Sequence, residues 1–267
     1  MYNIEDRNVP RDAYNQARNR ARLEVFVNNV LHRNGWVATL EKTLEPYSYE
    51  FIKKPYLASY IRPQQVIGTL SIDRRCCFSK SFLPLPHFAM GDFGYKWMNV
   101  LRDVHKWLDY PIDCYEFMHR YYVKEGNKRV SVSRYLQFPG MKANVTRIIP
   151  LNAEREDVRC YHEFLIFERE TGISSLWFSY EGAFARLTAL MKYHDINQHE
   201  LLTVILPPYI RMTGNYFGPH DAVIDYLAGY PGKNAGTKSQ TEALRRAVKN
   251  KKHKQLFSKE RKTSSLP

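Results

Sequence analysis

Residues 121–136, Tyr-Tyr-Val-Lys-Glu-Gly-Asn-Lys-Arg-Val-Ser-Val-Ser-Arg-Tyr-Leu, combine the residue types that hold a phosphate. An apolar stretch ends at Lys124-Glu125, Gly126 follows, and a helical pattern starts at once. Glycine lets the backbone turn tightly and approach a ligand closely. Asn127 is a candidate N-cap for the helix. The N–H groups and positive dipole end of that helix favour an anion. Lys128 and Arg129 add formal charge, and a guanidinium such as that of Arg129 can grip phosphate oxygens on two sides. Glu125 is the candidate catalytic group, as a base or beside a metal-bound phosphate. Gly-Asn turns also precede many helices that bind nothing, and a carboxylate at a strand end is more often solvated or salt-bridged.

The elements that must position this run can be read around it. Residues 66–72, Val-Ile-Gly-Thr-Leu-Ser-Ile, form a β-branched strand that ends at Asp73-Arg74-Arg75. Residues 143–149 form another, set off by Gly140 and Pro150, so the unit runs strand, Gly turn, helix, Gly, strand. Between 92 and 108 a helix is expected, with Asp92 as cap and Trp97, Val100, Leu101, Val104 and Leu108 at helical spacing. His105, near that face, reads as a structural histidine, since no second ligand lies at metal spacing. Residues 12–32 carry Leu23, Phe26, Val27, Val30 and Leu31 at i, i+3, i+4, i+7 and i+8, which predicts a packing helix with Asp12 as its cap. Residues 36–62 show no clean period and read as irregular structure with short elements.

The strand–turn–helix–strand order, with Gly126 and Arg129 three residues apart, resembles the ParB/sulfiredoxin-like superfamily over about residues 62–150. That resemblance implies a mixed α/β (α+β) sheet with helices and a nucleoside triphosphate at the turn, CTP or ATP with Mg2+. Gly126, Asn127, Lys128 and Arg129 would line the phosphates, with Arg74 or Arg75 beside them after the preceding strand. Sulfiredoxin chemistry needs a cysteine directly after the glycine; Asn127 stands there, so sulfinic acid reduction is not expected. The chain is more closely similar to uncharacterised proteins, mostly from Firmicutes, in which this region precedes a basic-membrane-protein type solute-binding domain. They share the run YYVKEGNKRVSV, the Arg-Ile-Ile-Pro of residues 147–150, Glu-Phe-Leu at 163–165, Thr-Gly-Ile at 171–173 and the Trp-Phe-Ser segment with Glu-Gly at 177–184. Here a basic tail stands where that domain would follow.

Composition narrows the function class. With 14% aromatic residues in 267, the chain has the material for a real core. It has no long apolar run and no signal-peptide pattern near Met1, so a cytoplasmic protein with no membrane partner is expected, and the resemblance implies a bacterial one. Cys76, Cys77, Cys114 and Cys160 lack CxxC spacing and suggest neither zinc nor disulfides. A reactive thiol beside Arg74 and Arg75 is conceivable, but small, partly buried residues are the commoner reading. Residues 232–267 hold eleven Lys and Arg against Glu242 and Glu260, a net +9 of the chain's +13. That tail, including Arg245, Arg246, Lys249, Lys251, Lys252 and Lys254, is expected to be disordered when free, with a helix-capable stretch at 241–254. It either meets DNA or RNA phosphates without reading sequence or only solubilises the chain.

Past Pro150 the pattern turns helical. Residues 161–169, a helix capped by Ser179 with Phe184, Leu187, Leu190 and Met191 on one stripe, a helix at 198–206 halted by Pro207-Pro208, and one at 221–227 are expected. The chain then divides as 1–61 helical region, 62–150 ParB/sulfiredoxin-like domain, 151–231 helical extension and 232–267 basic tail. Three functions stand in order: a nucleotide-binding regulatory module associated with nucleic acid through the tail, a protein- or DNA-binding module with no nucleotide, and a weak NTPase or phosphoryl-transfer enzyme. A homo-oligomer is compatible with each.

Overall fold

The computed structural model describes residues 9–47, 50–56, 60–71, 76–85, 92–213, 218–232 and 238–250. The chain divides into two compact units, Met1–Asn152 and Ala153–Pro267. The first is mixed α/β and the second, among the described residues, is helical.

The first unit opens with α1 (Val9–Val30), followed by β1 (Ala38–Thr39), α2 (Leu40–Leu44), β2 (Phe51–Tyr56), β3 (Tyr60–Ile61) and β4 (Val66–Thr69). After these come α3 (Phe93–Arg102), α4 (Val104–Trp107), β5 (Ile112–Phe117), β6 (Arg120–Glu125), α5 (Asn127–Tyr135) and β7 (Met141–Pro150). The sheet order is β1-β4-β6-β5-β7-β2, with β3 also pairing β7. β4 runs parallel to both β1 and β6, with Val66 opposite Tyr121 and Thr69 opposite Val123. β5 and β6 form a hairpin through Met118 and His119, both at positive φ, as a tight two-residue turn requires. Glu116 steadies that turn by accepting the His119 N–H at 2.7 Å.

Alternation along β6 explains why the sheet is covered on both faces. Tyr121 and Val123 join a core with Phe78, Phe82, Phe93, Ile112 and Val130, while Tyr122 points the other way to Leu40, Leu44, Phe117 and Ile148. Cys114 lies in the first of these cores, and burial pushes its thiol up to about 12. Across the sheet, Arg147 Nε donates to Glu116 Oε2 at 2.6 Å, both nearly water-free, and its guanidinium lies 3.7 Å from the Tyr56 ring centre.

Several expectations are corrected. α1 buries Pro10, Ala13, Ala17 and Ala21, and it is Leu23, Phe26, Val27, Val30 and Leu31 that face solvent. The alanine row allows close approach to Trp97 and Leu101, which larger residues would prevent. Asp12 lies inside α1, three residues past Val9. The helix expected at 92–108 breaks at Asp103 into α3 and α4, and Asp92 makes no side-chain cap bond. Residues 36–62 hold short elements, as expected: α2 and three strands whose partners lie elsewhere in the chain.

The second unit contains α6 (Glu156–Thr171), α7 (Ala183–Tyr193), α8 (Gln198–Glu200), a π-helical turn at Leu201–Ile205, α9 (Leu206–Thr213), α10 (Asp221–Ala228) and a helix at 238–250. Pro207 and Pro208 do not halt the helix; they sit in the first turn of α9, directly after the wide turn. A proline lacks an N–H and crowds the carbonyl four residues back, and the π turn removes that demand on the ladder. Ser179 does not cap α7, whose N-cap is Gly182; its N–H and hydroxyl both donate to the buried Asp221. On α7, Ala183, Phe184 and Leu187 are buried, and Leu190 and Met191 only partly so.

Candidate functional site

β6 and β4 end side by side because they run parallel, and α5 begins one residue past β6. Gly126 makes the junction at φ 101°, in the left-handed region, and is the N-cap. A Cβ there would lie 2.6 Å from Ile112 Cγ2, so glycine is required twice, for conformation and for space. Asn127 is therefore the first residue of α5 and not its cap. The first rung of the helix ladder is the Val130 N–H to the Gly126 carbonyl at 3.0 Å, which places the N–H groups of residues 127–129 ahead of it.

A cleft of about 480 Å3 opens over these strand ends. Its lining is Thr69 at the end of β4 with Leu70 and Ser71 just past it, residues 124–129, and Phe78, Phe93, Val100 and Trp107. Trp107 is pinned by its Nε1–H to the Val100 carbonyl at 2.7 Å. Lys128 Nζ lies 5.0 Å from the Phe93 ring centre, a cation over an aromatic face. The Asn127 Oδ1 is buried with no hydrogen-bond partner among the described residues, a polar atom at the cleft that awaits a donor.

The structure brings Glu125, Gly126, Asn127, Lys128 and Arg129 together around the cleft. Arg129 has a structural bond that the sequence did not suggest: Nη1 donates to the carbonyls of Tyr110 at 2.9 Å and Pro111 at 3.0 Å. That bond ties the loop before β5 to the cradle and occupies one end of the fork that was expected to grip phosphate. Glu125 is exposed at the rim. Among the described residues no three His, Cys, Asp or Glu side chains gather as a metal site, and Glu125 is the one acid among the described residues that line the cleft. Arg74 and Arg75 lie outside the described residues.

Phe78, Phe93, Trp107, Thr69 and Ser71 were not singled out in the sequence as cleft residues. Phe78 comes from the described segment 76–85 and Phe93 from the first position of α3, and no local period marks either as lining a site beside the end of β6.

In the basic tail, residues 238–250 are helical, which covers most of the stretch read as helix-capable at 241–254. Leu244 and Ala247 are buried, and Arg245, Arg246 and Lys249 point outward on the opposite side. Arg246 lies 3.4 Å from Glu242. Lys251, Lys252 and Lys254 lie outside the described residues. Cys76 is exposed and Cys77 buried.

Compared with family models, curated proteins and solved structures, the chain matches none. The resemblance to the ParB/sulfiredoxin-like superfamily thus rests on the residues of the 62–150 unit alone.

Proposed function

We propose that the first unit is a nucleotide-binding regulatory module of ParB/sulfiredoxin-like type, with the phosphates at the N-terminus of α5 and the base against the aromatic wall. The observation that carries this reading is the juxtaposition of Lys128 and the first turn of α5 with Phe93 and Trp107 in one cleft. A phosphate chain needs backbone N–H groups and cations, and a base needs a flat apolar face. The orphaned Asn127 amide would meet a ligand hydroxyl or amino group. CTP or ATP with Mg2+ is the ligand class, and binding takes precedence over turnover because Glu125 is the one carboxylate among the described residues that line the cleft.

When bound, Mg2+ would supply charge neutralisation at the phosphates. Lys128 would hold phosphate oxygens, Gly126 would let the backbone approach, and Arg129 would keep the Tyr110–Pro111 loop in place. A fluorescence titration tests this arrangement. Nucleotide should quench tryptophan emission in the full chain and not in Trp107→Phe; quenching of equal size in both places the base elsewhere.

A second reading concerns the tail. The helix at 238–250 is anchored through Leu244 and shows Arg245, Arg246 and Lys249 to solvent, which supports contact with DNA or RNA phosphates. Arg245→Glu with Arg246→Glu and Lys249→Glu should abolish binding to a random duplex at low salt, and unchanged binding would refute it.

A further inference from the structure

The face of α1 that the sequence marks as apolar is turned to water. Leu23, Phe26, Val27, Val30 and Leu31 are 63%, 65%, 44%, 61% and 51% exposed. Leu23, Phe26, Val27 and Val30 lie along the last two turns of α1 and Leu31 just past its end, C-terminal to the alanines that pack on α3. A contiguous apolar stripe of this kind on a folded protein marks a surface that something else covers.

The charges around it decide what. Arg22 flanks the stripe, His32 and Arg33 follow its end, and all three are exposed; Arg20, one turn earlier, is exposed too, with its guanidinium 6.0 Å from the Tyr135 ring centre. Glu24, the one acid in this stretch, is engaged elsewhere: its carboxylate accepts the Ser81 N–H at 3.2 Å and the Ser81 hydroxyl at 2.7 Å. The rim is cationic. A second copy of the chain would set arginine against arginine, and five side chains fall far short of the roughly 20–30 residues a side that a stable interface uses. Nucleic acid would satisfy the arginines and leave the stripe in water. An anionic lipid surface accepts both, the apolar side chains below the headgroups and the guanidinium groups among them.

We propose that the C-terminal two turns of α1 form a peripheral contact with anionic membrane surfaces. The expectation of no membrane partner came from the absence of a long apolar run. Among the described residues no helix is long and apolar enough to cross a membrane, and contact of this kind needs none. The inference does not depend on the cleft or its ligand.

The test is co-sedimentation of the full chain with vesicles of phosphatidylglycerol and phosphatidylcholine in equal parts, beside vesicles of phosphatidylcholine alone. The chain should partition onto the anionic vesicles, and Phe26→Glu with Val30→Glu should weaken that by about tenfold or more, because both apolar insertion and charge attraction are lost. Both positions are exposed, and an unchanged melting transition confirms that the variant is folded. The full chain with Arg245→Glu, Arg246→Glu and Lys249→Glu measures the share of the tail. No retention on anionic vesicles overturns the proposal. So does retention that the α1 variant leaves intact and the tail variant removes, or a dimer that the α1 variant splits into monomers.

Discussion

Gly126 and Ile112 are in mutual contact such that any side chain on the glycine would strike the isoleucine: a Cβ would come within 2.6 Å of Ile112 Cγ2. The same glycine holds φ 101°. The turn between β6 and α5, and with it the direction of the α5 N-terminus, depends on this one position. Gly126→Ala should lower stability by about 2–4 kcal/mol, from backbone strain and overpacking together. Ile112→Ala, a core truncation that by itself should cost about 2–5 kcal/mol, should cost less in the Gly126→Ala background, by the packing share of the glycine variant's loss. Urea denaturation of the two single variants and the double checks this; a Gly126→Ala loss below about 0.5 kcal/mol would show that the turn is not constrained.

Glu116 and Arg147 form a buried pair, 2% and 9% exposed at the side chain. Removing one partner leaves a desolvated charge, so Glu116→Ala should cost about 3–5 kcal/mol. Replacing both, Glu116→Leu with Arg147→Met, should cost much less, since a well-packed apolar pair of similar volume is often neutral. A double-mutant cycle by chemical denaturation measures the difference.

His220 predicts how the second unit responds to acid. It is buried, and burial pushes its imidazole from 6.5 down to about 4, while the Trp177 backbone and Asp221 work against that shift. Its Nε2 has no partner among the described residues. The neutral ring is therefore favoured in the folded state, and the unfolded chain binds the extra proton. The stability associated with His220 is complete above pH 6.5 and is lost as pH falls towards 4, by about 3 kcal/mol in all. His220→Gln should flatten this part of the stability profile between pH 7 and 4; an unchanged slope would assign the acid sensitivity to other groups.

The turn from β6 through Gly126 into α5 was legible because its signals are local: an apolar run, one glycine, then helical spacing. The helix of α1 was legible and its buried face was not. Leu23, Phe26 and Val30 carry the stronger apolar signal, yet Ala13 and Ala17 win the interior because their small size lets the backbone approach Trp97. The strands β1 and β3 are two residues long and exist only through pairing with β4 and β7, so no local pattern announces them. Pro207-Pro208 read as a stop because the sequence does not show the π turn at Leu201–Ile205 that tolerates them. Arg129 carried a charge signal, but its bond to the Tyr110 and Pro111 carbonyls depends on a loop nearly twenty residues earlier.

Lys128 offers the most direct test of the central claim, because its ammonium sits at the cleft over Phe93 and its loss leaves Gly126 and Ile112 untouched. The measurement is a thermal-shift titration of the full chain with CTP, ATP, GTP and UTP in magnesium, beside Lys128→Ala. A ligand bound only by the native state adds about 2.7 kcal/mol at a hundredfold excess over its dissociation constant. The account predicts a shift with at least one nucleotide that Lys128→Ala loses or strongly weakens; no shift with any nucleotide, or an equal shift in the variant, would contradict it.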